Sequence, residues 1–199
     1  MRVKIKDLTE LSEKIIQKWG FSDEEAKFIT ENFIDGELTG KKTHGLVRLL
    51  WMKKQLDGEK ISNKKEELEI VKETPVSILV DGKNKPGVYV INKALEFGLE
   101  KVKKSGMVAV GCTNTAPVSG MIGSYARKAA EQNLIFIGFN NSSGGLVPHG
   151  ATKELWGTNP MTVGIPTNNF SVILDMASSK ITWGGLLLAK AEGKKLPGN

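Results

Sequence analysis

The sequence contains little cysteine and little histidine. Its 199 residues include one cysteine, Cys112, and two histidines, His44 and His149. A single cysteine excludes an intrachain disulfide and a cysteine-rich zinc site. Two histidines leave little material for a histidine-based metal centre. We therefore expect no metal site in this chain.

Long apolar runs are also absent. No stretch of the chain approaches the roughly 18 consecutive apolar residues that a membrane span needs. The charged start at residues 1–6 is unlike a secretory signal, in which an apolar stretch follows the first residues. We expect a cytoplasmic protein with no membrane partner. The hydrophobic content of 40% is nevertheless sufficient to bury a core.

The chain also lacks a concentrated basic region, although its net charge is +6. Residues 1–104 contain 21 Lys and Arg against 18 Asp and Glu, and residues 105–199 contain 7 against 4. Lysines and glutamates are thus interspersed, whereas a nucleic-acid-binding protein usually presents a basic face with interleaved aromatic residues. A solvated lysine-rich surface is the better interpretation, and we expect no nucleic-acid partner.

The character of the chain changes along its length. Residues 1–67 are charged and helical in pattern, with helices predicted over about 6–19, from Ser22 onward, and over about 43–56. The sequence Ser22-Asp23-Glu24-Glu25 is typical of a capping box. Residues 68–199 form the second predicted domain, and 14 of the 22 glycines lie after residue 104. The chain is α/β: an N-terminal helical segment followed by a mixed sheet with helices.

The second domain alternates short strands with helices. We predict strands near 68–72, 76–80, 107–112, 134–140, 161–165 and 170–174, and helices near 88–104, 121–132 and 177–191. The run 107–112 has the composition of a buried strand. The order strand, loop, helix, strand from 107 to 140 suggests that part of the sheet is parallel.

The motif Thr43-His44-Gly45-Leu46-Val47-Arg48 is the first candidate site. If Thr43 caps a helix, His44 and Arg48 lie four residues apart on one helical face. Such a pair suits a site in which arginine binds an anionic substrate and histidine moves a proton. The alternative is an exposed histidine beside an arginine that pairs with a nearby acid, and spacing alone favours this alternative.

Two further loop regions offer polar groups. The loop 140–145 is rich in Asn, Ser and Gly, so it is able to approach a phosphate or ribose closely, or it is a plain surface turn. The segments 157–160 and 174–179 lie at strand boundaries, where α/β proteins often place sites. Asp175 is either a hydrogen-bond acceptor for a ligand or the cap of the helix that follows it. The glycine-rich fingerprints of P-loops and Rossmann dinucleotide sites are absent.

Three separated motifs resemble one family. Thr43-His44-Gly45-x-x-Arg48-Leu49, Gly157-Thr158-Asn159-Pro160 and Leu174-Asp175-Met176-Ala177 are similar to signature blocks of the non-Rossmann malate/lactate dehydrogenase family, which includes sulfolactate and ureidoglycolate dehydrogenases and diketogulonate reductase. The blocks Val80-Asp81-Gly82 and Pro148-x-Gly150 agree as well. Order and spacing match over nearly the whole chain.

The resemblance implies an enzyme that interconverts small 2-oxo and 2-hydroxy acids with NAD or NADP. It implies that His44 exchanges the proton with the substrate oxygen and that Arg48 and Thr43 hold the substrate. Residues of the cofactor site, by the same resemblance, are Ser142, Thr158, Asp175, Met176 and Ala177. Members are usually homodimers with a non-Rossmann cofactor-binding fold.

Two departures from the family pattern stand out. A histidine that some members use as proton acceptor aligns with Val118, which cannot titrate. Family members are also considerably longer, so we expect the dehydrogenase fold to be incomplete in these 199 residues. Both departures motivate an alternative function: a catalytically silent homologue or fragment that acts as a binding or assembly subunit. The substrate, and the choice of NAD or NADP, do not follow from the motifs.

Overall fold

The computed structural model describes residues 2–191 and 193–195. The chain divides into two compact units, Met1–Met121 and Ile122–Asn199. This boundary follows from packing, whereas the predicted division at residue 67 follows composition and marks the end of the helical region. The first unit therefore contains the N-terminal helices together with the first sheet.

Three helices begin the first unit: α1 (Ile5–Lys18), α2 (Asp23–Leu38) and α3 (Arg48–Asp57). Their apolar faces contribute to one buried cluster that also takes in residues from outside these helices; its members are Ile16, Phe21, Ala26, Ile29, Phe33, Met52, Ile61, Val88, Ala116 and Val118. The apolar periodicity of the sequence reflects this burial.

The predicted capping box at the start of α2 is confirmed. The Ser22 side chain accepts the backbone N–H of Glu25, and the Glu25 carboxylate accepts the backbone N–H of Ser22 at 2.8 Å. Two otherwise unpaired N–H groups of the helix start are satisfied in this way. The beginning of α2 is thus determined locally.

A three-stranded sheet completes the first unit. Strand β1 (Glu69–Thr74) pairs antiparallel with β2 (Ser77–Asp81), and β2 pairs parallel with β3 (Ala109–Thr113). Helix α4 (Gly87–Ser105) connects the parallel pair. The prediction of a buried strand at 107–112 is wrong, because β3 lies at the edge of this sheet with Cys112 exposed.

The second unit contains an antiparallel sheet of β4 (Phe136–Phe139), β5 (Met161–Ile165) and β6 (Val172–Met176), in that order. Helix α5 (Gly123–Ala130) precedes the sheet and packs on it. An ideal Cβ on Gly164 would lie 2.5 Å from the carbonyl oxygen of Ala126, so glycine allows α5 to approach β5 closely.

The other face of this sheet is apolar and exposed. Ile137 and Phe139 on β4, and Val172, Leu174 and Met176 on β6, expose between 41% and 77% of their surfaces. Their alternation with residues that face α5 is the pattern of a sheet covered on one side.

Two further predictions are wrong. Strands β3 and β4 belong to different sheets, so the expected parallel pairing across 107–140 does not form; the parallel pair is β2 with β3. The last helix, α6 (Trp183–Ala191), begins six residues later than the predicted start at 177. In the first region, strands that follow one another in sequence do not pair. In the second, the helix does not begin directly after the strand.

Among the described residues, no helix is both long and apolar enough to cross a bilayer.

Candidate active site

The motif that contains His44 and Arg48 lies between α2 and α3. Residues Lys42–His44 form a single 3₁₀ turn, and α3 begins only at Arg48, with Val47 at the N-cap. The predicted helix start at residue 43, with Thr43 as its cap, is therefore wrong. Because His44 lies outside α3, His44 and Arg48 do not share a helical face.

Thr43 nevertheless connects His44 to Arg48. Its hydroxyl oxygen lies 3.1 Å from Nδ1 of His44, at hydrogen-bond distance. Its backbone carbonyl oxygen accepts a hydrogen bond from Nε of Arg48 at 2.6 Å. The three residues singled out from the sequence thus form one cluster, joined through Thr43 rather than through helical periodicity.

Arg48 is half-buried beside Trp51. Its guanidinium carbon lies 5.7 Å from the centre of the indole ring, within the range of a cation–π contact. Burial lowers the pKa of Arg48, but an arginine starts from so high a value that it stays charged at neutral pH. In the described part of the chain no ion pair of Arg48 is found. The cation is therefore available for an anionic ligand.

A second cluster joins the loops that contain Ser142 and Thr158. The Ser142 hydroxyl lies 3.3 Å from the Thr158 hydroxyl, and it accepts the backbone N–H of Asn159 at 3.1 Å. In return, the Asn159 side-chain oxygen accepts the backbone N–H of Ser142 at 3.0 Å. These reciprocal bonds hold loop 140–145 against loop 157–160.

Gly157 permits this close approach. An ideal Cβ at Gly157 would overlap the hydroxyl and carbonyl oxygens of Ser142 and the carbonyl oxygen of Ser143. The segment after β6 joins the same network, because both the backbone N–H and the hydroxyl of Ser178 donate to the carbonyl oxygen of Thr158 at 2.9 Å. Three loops that are distant in sequence are thereby brought together.

Asp175 is directed elsewhere. Its carboxylate accepts the backbone N–H of Gly123, the first residue of α5, at 3.0 Å. It therefore stabilises the start of the preceding helix rather than capping the helix that follows. Met176 is 46% exposed, and Ala177 is half-buried.

By the resemblance, Val118 stands where some family members have a histidine. It is 6% exposed, belongs to the core cluster of the first unit, and has a φ of 86°. A β-branched residue is strained in this left-handed region. The side chain supplies packing and no titratable group.

One contributor, Glu37, was not predicted from the sequence. It lies near the end of α2, and its carboxylate accepts the backbone N–H of Leu46 at 2.8 Å. Glu37 stands in no recognisable local pattern, since it acts on a loop nine residues away, whereas Ser178 lies in the segment 174–179 that the sequence singled out. Among the residues that the structure describes, no group of three His, Cys, Asp or Glu is arranged to hold a metal ion.

Comparison with known proteins gives a consistent result. A family model described as Malate/L-lactate dehydrogenase matches residues 3–199. An L-sulfolactate dehydrogenase from Methanocaldococcus jannaschii is 33% identical over 183 residues, which are 92% of this chain and 53% of that protein. A malate dehydrogenase from Pyrococcus abyssi is 33% identical over 92% of this chain and 50% of its own length.

Solved structures agree with the sequence relatives. A malate dehydrogenase from Entamoeba histolytica superposes with a TM-score of 0.92 at 26% identity, covering 99% of this chain and 55% of that one. The chain thus spans about half the length of the curated relatives it matches. More distant relatives, each 24% identical, have names that include NADP(+) for a sulfolactate dehydrogenase of Chromohalobacter salexigens and NAD(+) for a ureidoglycolate dehydrogenase of Escherichia coli.

Proposed function

Because this chain belongs to the malate/L-lactate dehydrogenase family, we propose that it interconverts a small 2-oxo acid and the corresponding 2-hydroxy acid with a nicotinamide cofactor. The family match spans nearly the whole chain, and relatives at 33% identity are named sulfolactate and malate dehydrogenases. Both names denote 2-hydroxy acids, whose carboxylate requires a cation in the site.

The observation that carries this proposal is the Thr43 bridge between His44 and Arg48. The Arg48 guanidinium, which has no ion pair in the described residues, binds the substrate carboxylate through paired N–H groups. The same bridge fixes His44 beside the bound acid, where it exchanges a proton with the oxygen on C2.

Thr43 is also suited to both directions of the reaction. The Thr43 hydroxyl accepts a hydrogen bond from Nδ1, so Nδ1 keeps its proton and Nε2 is the nitrogen that exchanges one. In oxidation the neutral ring takes the proton of the substrate hydroxyl at Nε2 and becomes imidazolium. In reduction the imidazolium returns that proton from Nε2 to the substrate oxygen.

For the cofactor, the Ser142–Thr158–Asn159 cluster is the candidate site. Its hydroxyl and amide groups fit the hydroxyls of a ribose and the carboxamide of nicotinamide. When bound, the nicotinamide supplies or takes up the hydride. We expect Met176 and Ala177 to line the same site, while Asp175 supports it by anchoring α5. The proposal includes both NAD and NADP as the cofactor. The resemblance also implies that the protein is a homodimer, and gel filtration tests this oligomeric state.

The test is a spectrophotometric assay of the purified chain with NADH and NADPH and a panel of 2-oxo acids, which includes oxaloacetate, pyruvate and sulfopyruvate. His44→Ala should lower kcat by about 10²–10⁴-fold, and Arg48→Ala should raise KM for the acid strongly. His149→Ala is the matched control, because His149 is exposed and outside both clusters. Cofactor binding without turnover of any acid contradicts the proposal.

A silent homologue is the second candidate function, and the burial of Val118 favours it. A binding or assembly subunit would retain cofactor or partner binding without turnover. Restoring a histidine by Val118→His distinguishes the two cases: appearance of activity would show that only this group was missing, whereas continued inactivity with intact binding supports the silent role.

A further inference from the structure

The end of α2 packs against the peptide that follows His44. Glu37, near the C-terminus of α2, reaches over Gly45 and accepts the backbone N–H of Leu46 at 2.8 Å. The Glu37 carboxylate therefore holds the backbone two residues after His44.

Gly45 shows how tight this contact is. Its φ of −85° and ψ of −155° are extended values that any residue adopts, so the backbone itself does not require glycine. An ideal Cβ at Gly45 would overlap the carboxylate of Glu37, and its three nearest atoms all belong to that side chain. Glycine is needed here because of Glu37.

Gly36 makes the matching contact from the helix backbone. An ideal Cβ at Gly36 would lie 2.7 Å from the carbonyl oxygen of His44 and 2.8 Å from its carbonyl carbon. The His44 peptide thus lies directly against the backbone of α2. Because Gly36 has no side chain, this peptide approaches the helix closely, and Glu37 holds the backbone N–H of Leu46 two residues further on.

We propose that Glu37 is a positioning residue for His44. The inference rests on the proposed role of His44 in proton transfer. A carboxylate that accepts a backbone N–H makes a charge-assisted bond, which is stronger than a neutral one. Because a proton-transfer group loses rate steeply when it is displaced by about 1 Å, holding the Gly45–Leu46 backbone keeps the imidazole where the substrate oxygen arrives.

Kinetics of five variants test this role in the whole chain: Glu37→Ala, Glu37→Gln, Gly45→Ala, the double Glu37→Ala/Gly45→Ala, and the control Glu67→Ala. Glu67 is an exposed glutamate outside both clusters. We expect Glu37→Ala to lower kcat about 10-fold with little change in cofactor binding. Glu37→Gln retains an acceptor oxygen and should restore most of the activity.

The double variant separates this proposal from a loss of folding. Gly45→Ala alone should be as harmful as Glu37→Ala, since the new Cβ expels the carboxylate. In the Glu37→Ala background the same Cβ meets no carboxylate, so Gly45→Ala should add little further loss. Multiplicative losses in the double variant would overturn the proposal, as would an unchanged kcat in Glu37→Ala.

Nuclear magnetic resonance gives a readout that needs no turnover. The chain has only two histidines, so its ring signals are assigned with His149→Gln. Glu37→Ala should change the chemical shifts and the titration midpoint of His44 and leave those of His149 unchanged. A change confined to His44 supports the positioning role even if no substrate is found. Failure to find a substrate would contradict only the proposed function. Unchanged His44 signals would contradict the positioning role.

Discussion

The carboxylate of Asp175 on β6 accepts the backbone N–H of Gly123 at the start of α5. The two residues are 52 positions apart in sequence, and their hydrogen bond joins α5 to β6. Strand β6 in turn precedes the polar loop that contains Ser178. The residue before the helix, Ile122, offers no side-chain cap. Asp175 therefore provides the negative charge and acceptor that the start of α5 otherwise lacks.

Replacing Asp175 should destabilise the second unit. Asp175→Ala leaves the N–H of Gly123 without its acceptor and is expected to cost about 1 kcal/mol in the free energy of unfolding. Asp175→Asn retains an acceptor oxygen and should lose less. Urea unfolding followed by circular dichroism measures both. Equal losses in the two variants would show that the hydrogen bond is not the source of the effect.

The buried ion pair of Glu25 and Lys85 should be sensitive to single substitutions. The Nζ–Oε1 distance is 2.6 Å, both side chains are at most 5% exposed, and Lys85 also donates to the carbonyl oxygen of Lys64. Lys85→Met leaves a buried carboxylate unpaired and is expected to cost about 3–5 kcal/mol.

The double variant Lys85→Met/Glu25→Gln is the informative comparison. Glutamine is uncharged but still accepts the N–H of Ser22, as Glu25 does in the capping box. We therefore expect it to recover much of the lost stability in thermal unfolding. A double variant no more stable than Lys85→Met would contradict the assignment of the loss to an unpaired charge.

Thr30 offers a stabilising substitution. It is fully buried in α2, and its hydroxyl has no hydrogen-bond partner in the described residues. Thr30→Val replaces this hydroxyl with a methyl group of similar size, which should stabilise the chain by about 1 kcal/mol. Thr30→Ser retains the hydroxyl and removes the methyl group, so it should destabilise. A higher midpoint for serine than for valine in chemical unfolding would refute the prediction.

The strained backbone at Val118 predicts a reversal of the usual order of alanine and glycine. At ordinary positions glycine is about 0.5–1 kcal/mol less stable than alanine. At a φ of 86° a Cβ is unfavourable, so Val118→Gly should be more stable than Val118→Ala. Val90 is buried inside α4, and the same two substitutions there should follow the usual order. Calorimetry of the four variants measures their thermal stability. If the alanine variant is more stable than the glycine variant at both positions, the backbone at Val118 is not strained.

The turn at Asp81 should stabilise the chain at neutral pH and lose this contribution in acid. The Asp81 carboxylate accepts the backbone N–H of Lys83 at 2.9 Å, and this bond is the main reason that the pKa of Asp81 is lowered. A carboxyl with a lowered pKa in the folded state stabilises above its unfolded pKa, and this contribution disappears as the pH falls through the folded value. Asp81→Asn should therefore weaken the acid dependence of the unfolding midpoint, whereas Glu67→Gln should leave it unchanged.

Prediction from the sequence succeeded where structure depends on neighbouring residues. The capping box at Ser22 and strand β5 follow from residues that lie close in sequence. It failed around Thr43 because a threonine before an apolar helix is a typical cap, whereas here the chain turns once before α3 starts. It failed for β3 and β4 because sequence order does not determine which sheet a strand joins.

The sequence by itself indicated the family and the α/β class, and it predicted His44, Arg48 and the polar loops as candidate site residues, because motifs and apolar periodicity are local properties of the chain. Only the tertiary structure decided how those residues are held: Thr43 as the bridge between His44 and Arg48, Glu37 over Gly45, and Asp175 on α5. These contacts depend on how α2, the loops and β6 pack. The distances between their atoms arise from burial of the whole core, which no short stretch of sequence encodes.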